Sequence, residues 1–360
     1  MKDLKNFFRN KKILITGHTG FKGSWLTQIL LNWNACVAGI ALRPNTTPNL
    51  FSLLKIKSRI NNYFADIRNF KKISEIVKKE KPEIVFHLAA QPLVRDSYNT
   101  PLYTFETNTI GTANLLQAVK EIGRVKSVVI ITTDKVYKNE KFHRPFQETD
   151  KLGGHDPYSS SKAAAEIIID SYIKSFFSPE DYSKKHHTLI ASARSGNVIG
   201  GGDWAKDRII PDIIKAVFEK DRKVIIRNPE AIRPWQHVLE PSLGYLLLAK
   251  KLYEGKKEFS GAWNFGPHEK NYLTVKELIE KALKILERGS YIVKRDPTKP
   301  EAQLLKLDSR KAKSVLGWQP TLNLKETIEL TLDWYKNFYS KKDIINLTNQ
   351  QIALFFNKQI

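Results

Sequence analysis

A β-branched run, Val128–Ile131, ends in Thr132, Thr133, Asp134 and Lys135. A carboxyl followed directly by an amine at the end of a buried strand is either a solvated pair or an acid–base couple. Further on, "DPYSSSKAAAE" puts Tyr158 and Lys162 four residues apart, on one face of a predicted helix. Tyrosine titrates near 10 in solution, too high for a base at neutral pH. A cation one helical turn away favours the phenolate and brings that value down. Such a tyrosine can take a sugar hydroxyl proton while hydride leaves to a nicotinamide, with the lysine bonding the cofactor ribose.

That chemistry needs a dinucleotide site. "ITGHTGFKGSW" sets Gly17, Gly20 and Gly23 between a predicted strand and a predicted helix. Glycine permits the tight turn and the close backbone approach that a pyrophosphate requires, and the helix N-terminus supplies unpaired N–H groups. The spacing is G-x-x-G-x-x-G rather than the G-x-G-x-x-G of the standard fingerprint. Where that fingerprint expects an acid after the second strand, this chain has Arg43. An arginine there suits a 2′-phosphate, so the residue alone leaves NADP open. Asp66, in "FADIR", is either an adenine contact or the N-cap of the helix "FKKISEIV".

The elements that must hold these residues alternate. Strands are predicted at "KKILITG", "ACVAGIAL", "INNYFADI", "PEIVFHLAA" and "VKSVVIITT", with helical patterns between them. Near-continuous apolar strands alternating with helices imply an α/β fold, a doubly wound parallel sheet of Rossmann type. A helix from Asp156 to about Phe177 and a strand "TLIASARSGNVIG" follow. The expected division is a dinucleotide-binding domain over 1–195, to which later segments contribute. A smaller mixed substrate-binding domain spans 196–335, and a peripheral helix or tail 336–360. Since side chains alternate faces along a strand, Asp134 and Lys135 can reach one ligand only if the backbone leaves the sheet at about Thr133.

Composition narrows the class. Of 360 residues, 41% are hydrophobic and 27% charged, as in a globular protein. One cysteine, Cys36, rules out an internal disulfide and suits a reducing compartment, so the expected location is cytoplasmic. No apolar run reaches the ~20 residues of a membrane helix. The net charge of +22 comes from 59 Lys plus Arg against 37 Asp plus Glu. These are spread without a basic arm, so no nucleic-acid partner is expected; a lysine-filled surface and steering of an anionic substrate both fit. His155, His186 and His187 form no ligand spacing with Cys36, and no metal site is expected. Arg208 and Arg233 are candidates for a diphosphate, because planar guanidinium matches phosphate oxygens.

Together the glycine loop and the Tyr158/Lys162 pair resemble the extended short-chain dehydrogenase/reductase family, whose members act on nucleotide sugars. The resemblance runs from about Lys11 to about Tyr335. It includes "HLAAQ" (His87–Gln91), Asn108 and "SGNVIGGGDW" (Ser195–Trp204). It implies NAD as cofactor, held by Gly17, Thr19, Gly20, Phe21, Lys22, Gly23, Asp66, Ile67, Leu88, Ala89, Ala90, Asn108, Tyr158 and Lys162. It implies substrate contacts from Gln91, Asn197, Trp204, Arg208, Arg233 and Trp235. Epimerases of the family lack an acid–base pair at the end of this strand; 4,6-dehydratases carry one, commonly Thr–Asp–Glu. Thr133, Asp134 and Lys135 therefore resemble the dehydratase branch, and lysine in third place its CDP-glucose-using members. The implied catalytic set is Thr133, Asp134, Lys135, Tyr158 and Lys162, with CDP-glucose as substrate. A 4-epimerase, or a dehydratase of another nucleotide sugar, is the alternative. Lys135 as base requires a neutral amine beside a protonated Asp134, or one proton shared between them. The resemblance also implies a homodimer, or a tetramer built from it, through the helices Thr104–Ile122 and that of Tyr158. One departure is "KPEAQLLKLD", where a His is expected before Glu301.

Overall fold

The computed structural model describes residues 2–138, 144–219, 223–268, 271–295 and 306–359. The strands in chain order are β1 (Lys12–Thr16), β2 (Cys36–Ala41), β3 (Asn61–Phe64), β4 (Ile84–His87), β5 (Ser127–Ile131) and β6 (Leu189–Ser195). Then come β7 (Val198–Ile199), β8 (Val224–Ile226), β9 (Ile232–Pro234), β10 (Gln236–His237), β11 (Gly261–Phe265), β12 (Tyr272–Thr274) and β13 (Tyr291–Val293). The helices are α1 (Lys2–Phe8), α2 (Phe21–Asn32), α3 (Leu50–Leu53), α4 (Phe70–Glu80), α5 (Val94–Asn99), α6 (Pro101–Phe105) and α7 (Gly111–Ile122). They continue with α8 (Pro157–Phe176), α9 (Ile209–Ile214), α10 (Leu239–Tyr253), α11 (Val275–Leu286), α12 (Leu324–Tyr339) and α13 (Ile344–Asn357).

Among the described residues one large sheet has seven parallel strands in the order β11-β6-β5-β4-β1-β2-β3. The order reverses between β1 and β4, and ligands of such sheets bind beyond the carboxyl ends of the strands at that point. The seventh strand, β11, comes from beyond residue 195. Side chains alternate between the two faces, as the pleat demands. Ile13 and Ile15 join the apolar cluster that holds Trp25 and Leu246, while Leu14 joins the one that holds Ile73 and Val119.

Helix α2 is buried continuously from Gly23 to Leu30, so the sheet alone cannot cover it. Helix α13 supplies the second cover. Asn349 accepts from Gln28 and Asn32 at 2.8 and 2.9 Å, and the Phe356 and Trp33 rings lie 4.9 Å apart. The segment expected as a tail or peripheral helix thus clamps the helix that follows the glycine loop.

Three two-stranded sheets, β10-β7, β12-β9 and β13-β8, lie outside the large sheet. The expected strand "TLIASARSGNVIG" is split: β6 ends at Ser195, and β7 pairs outside the main sheet. Gly196 sits at the break, where a Cβ would meet Pro234 at 2.5 Å and the Asp134 carboxylate at 3.0 Å.

Candidate active site

The glycine loop has the shape a dinucleotide needs. Gly17 takes φ +77°, and a Cβ there would fall 2.6 Å from the Ala89 nitrogen. A Cβ on Gly23 would fall 2.1 Å from the Gly17 carbonyl oxygen. No side chain caps α2 at Gly20, so its first-turn N–H groups and positive end remain available to an anion. The Thr19 hydroxyl donates to Leu42 O at 2.9 Å. His87, at the end of β4, joins Thr16 (2.6 Å) and Thr112 (3.1 Å); burial and then Lys162 depress it to about 3, so it is neutral. His18, a residue the sequence reading passed over, is buried against the glycine face of Gly39 and pairs with Asn62 at 2.7 Å.

Several expected cofactor contacts are also engaged within the protein. The Asp66 carboxylate is gripped by the Arg68 guanidinium at 2.7 Å, which holds it below the usual range. The helix cap, the alternative reading of Asp66, belongs to Asn69, which accepts from Lys72 N. Arg43 lies with its guanidinium 4.6 Å from the Phe64 ring centre. Ile67 is core, packed under Gly111. Asn108 stands on a π-helical turn, Glu106–Ile110, that interrupts the single helix expected from Thr104 to Ile122. Such turns re-aim a side chain inward. Its oxygen accepts from Gln91 N (2.8 Å), and its amide donates to Gln91 O (3.1 Å) and the Ser161 hydroxyl (2.9 Å). Asn108 therefore braces the chain after β4 against α8. Leu88, Ala89 and Ala90 lie in that half-exposed stretch.

Chain exit from the sheet occurs where the alternation argument requires it. β5 stops at Ile131, Thr133 is extended, and a 3₁₀ turn spans Asp134–Val136. The Thr133 hydroxyl donates to Asp134 Oδ1 at 3.0 Å, and Lys135 Nζ lies 3.7 Å from the same oxygen. Asp134 is 1% exposed, and its Oδ2 is buried with no hydrogen-bond partner among the described residues.

Helix α8 brings the second pair. Asp156 caps it by accepting from Ser159 N, and Pro157 occupies the first turn. Tyr158 and Lys162 are both buried on its inner face, and Lys162 Nζ donates to Ile131 O at 3.2 Å. The expectation that Lys162 brings Tyr158 down does not hold in this structure. Burial pushes Tyr158 up to about 12, against the Thr133 hydroxyl and the Arg208 charge. Burial also brings Lys162 down to about 8, opposed by Glu166 one turn further on. Glu166 in turn accepts from Thr132, Ser192 and Arg194, the last at 2.8 Å, with both partners of that ion pair almost fully buried.

Thr133, Asp134, Lys135 and Tyr158 line one cavity of about 260 Å³ with Asn197, Arg208, Arg233 and Trp235. The Asn197 Oδ1 is buried there without a hydrogen-bond partner. Arg208 pairs with Asp203 at 2.9 Å, and Arg233 donates to Ile232 O. Lys22, expected on the cofactor, turns its amine into this cavity and bonds the Ser195 hydroxyl at 3.0 Å. Burial, then Arg208 and Lys162, lower it to about 7. Arg95 and Arg227 line the same cavity and had no motif to mark them.

Two expected substrate contacts, Trp204 and Gln91, are not among the residues that line this cavity. Trp204 is core, ringed by Trp334, Tyr335 and Phe338 at 5.1–5.7 Å, and does not line the cavity. A glycine-rich turn brings it inward, because Gly201 has no room for a Cβ beside Trp334. The Gln91 side chain is spent on its own loop, bonding Leu93 N, Leu93 O and the Thr104 hydroxyl. Glu301 lies outside the described residues. Among the described residues no cluster of metal-ligating side chains occurs, and no helix is long and apolar enough to cross a membrane.

The chain is similar to several known proteins. A family model described as GDP-mannose 4,6 dehydratase matches residues 14–331. A CDP-glucose 4,6-dehydratase of Salmonella typhimurium is 45% identical over 350 residues, covering 97% of each chain. The solved dTDP-glucose 4,6-dehydratase DesIV of Streptomyces venezuelae superposes with a TM-score of 0.78 at 21% identity, over 92% of this chain and 99% of that one. A UDP-glucuronic acid 4-epimerase of Bacillus cereus, solved with UDP-glucuronic acid and NAD, gives 0.76 at 25% identity, over 91% and 99%.

Proposed function

The chain belongs to the nucleotide-sugar dehydratase family that the GDP-mannose 4,6-dehydratase model describes, and we infer that it is a hydro-lyase converting CDP-D-glucose to CDP-4-dehydro-6-deoxy-D-glucose with NAD as cofactor. The observation that carries this reading is the meeting of Thr133, Asp134 and Lys135 with Tyr158 on one cavity wall. A 4-epimerase has no use for an acid–base pair there.

Bound NAD supplies a hydride acceptor at sugar C4 and a hydride donor at C6. The glycine loop, with the N-terminus of α2, holds its pyrophosphate, and Lys162 its ribose. Tyr158 meets the C4 hydroxyl as a phenolate, a form that burial opposes and that the Thr133 hydroxyl and the Arg208 charge favour, and takes its proton. The C4 ketone acidifies the C5 proton, which Lys135 removes. Asp134 gives a proton to the C6 hydroxyl, so that water leaves. Lys135 then returns a proton to C5. Arg208 and Arg233 hold the diphosphate, with Arg95 and Arg227 at the same cavity, while Asn197 and Trp235 shape the sugar side.

The cofactor half is residues 1–195 with later strands, and the substrate half is centred on 196–335. A homodimer fits the apolar residues left exposed on α6, the π turn and α8: Leu102 at 77%, Ile110 at 51% and Ile167 at 59%. The exposed free thiol of Cys36 suits a reducing, cytoplasmic setting. Incubation with CDP-, UDP-, dTDP- and GDP-glucose, followed by mass spectrometry, tests the assignment. Loss of one water from CDP-glucose alone is expected; an unchanged mass with an epimerised sugar would reject it.

A further inference from the structure

The cavity holds an anion of its own. Asp207 lines it, with its carboxylate 2.8 Å from Arg227 Nη2 and 3.8 Å from Arg95 Nε. Arg227 follows β8 on the substrate side, and Arg95 stands on α5, just after the β4 edge of the large sheet. Asp207 therefore ties two walls of one cavity through two arginines that line it together with Arg208 and Arg233. Its backbone is left-handed, φ +57°, a conformation that aspartate tolerates better than most residues. That twist sends Asp207 to one pair of guanidinium groups while the next residue, Arg208, turns to Asp203.

Asp203 and Asp207 are held differently. Asp203 is almost buried and fixed by its own loop, accepting from Ala205 N at 3.0 Å. The Asp207 carboxylate remains about a quarter exposed, 27%, and its ion pairs are with the two arginines. A guanidinium presents the same fork of donors to a carboxylate as to a phosphate, so Asp207 and a diphosphate compete for the same groups and repel one another. The Asp207 charge is felt across the cavity: after burial, it helps push the Asp212 carboxyl up to about 6.

We propose that Asp207 is an internal stand-in for the substrate's diphosphate, occupying Arg95 and Arg227 until a nucleoside diphosphate displaces it, and so setting the affinity of the cavity for its substrate. This rests on the nucleotide-sugar reading above. The exchange breaks two ion pairs and makes two of the same kind, but it leaves the Asp207 charge in the cavity beside the incoming diphosphate, so Asp207 opposes binding.

Calorimetric titration of wild type, Asp207→Asn and Asp207→Glu with CDP and with inorganic pyrophosphate tests it. Asparagine keeps the shape and tolerates the same backbone, but removes the competing charge. It should bind both probes about three- to fivefold more tightly, the worth of a partly exposed ion pair. Asp207→Glu, which keeps the charge, should stay near wild type, and Arg227→Gln added to Asp207→Asn should cancel the gain. A merely structural role would not raise affinity. Unchanged or weaker binding by Asp207→Asn, or an equal gain in Asp207→Glu, overturns the proposal. Wild type that binds pyrophosphate but not CDP would instead refute the cytidine nucleotide, with the Asp207 comparison still read in pyrophosphate.

Discussion

Replacing Lys135 by methionine separates the two halves of the proposed reaction. Methionine keeps much of the length and apolar stem of lysine but carries no base. Lys135 Nζ lies 3.7 Å from Asp134 Oδ1, so the base and the acid stand side by side. Deleting the amine removes that neighbour from a carboxyl that is 1% exposed and whose Oδ2 has no hydrogen-bond partner among the described residues. The Thr133 hydroxyl still holds Asp134 Oδ1 at 3.0 Å, so the acid stays in place and the base alone is lost. Positioned bases contribute about 10²–10⁴ in rate; a fall of about 10³-fold in water loss is expected, roughly 4 kcal/mol. Tyr158, Thr133 and the glycine loop are untouched, so C4 oxidation should persist and reduced cofactor accumulate on adding substrate. The assay follows cofactor absorbance, product mass and deuterium uptake at C5 from heavy water. Dehydration near the native rate would refute the argument and move the base elsewhere. Loss of oxidation together with dehydration would also refute it, since Lys135 would then be serving ligand binding.

Other perturbations follow from the same geometry. Gly23→Ala drives a Cβ to 2.1 Å from the Gly17 carbonyl, so NAD titration should show affinity lowered by about tenfold or more, at least about 1.4 kcal/mol. Glu166→Gln leaves Arg194 buried without its counter-charge; urea unfolding should report a loss of about 3–5 kcal/mol, and Arg194→Met placed beside it should recover part. Lys22 at about 7 and Lys162 at about 8 both sit below the ordinary 10.5. Between the folded and unfolded values the unfolded chain binds protons that the native one does not, so stability should rise with pH from about 7 toward 10. Thermal melts should show that rise, flattened in Lys22→Met; a flat wild-type curve would contradict it.

The parts legible in the sequence are those in which one short segment carries its own physics. The seven-residue stretch Gly17–Gly23 holds both the turn and the helix start. Tyr158 and Lys162 share a helix face by spacing alone, and the pleat required the chain to leave the sheet at Thr133. The failures share a cause too: each turned on burial or a contact that only the folded chain makes. Nothing near Trp204 announces that Trp334, Tyr335 and Phe338, more than a hundred residues later, enclose it. Asp66 reads as a cap or an adenine contact until Arg68 folds back onto it. The reversal at Tyr158 is the most instructive case. A lysine one turn away argues for a lowered tyrosine, but that argument treats the pair as if in water. In the folded chain both groups are buried, and burial penalises the phenolate and the ammonium alike, so one goes up and the other down. Lys22 and Arg208 line this pocket from separate segments; Arg208 and Lys162 both lower Lys22, and Arg208 also acts on Tyr158. The tuning of the site is thus a property of tertiary convergence: a motif names the reacting groups, and the distant charges set the protonation states in which they meet the sugar.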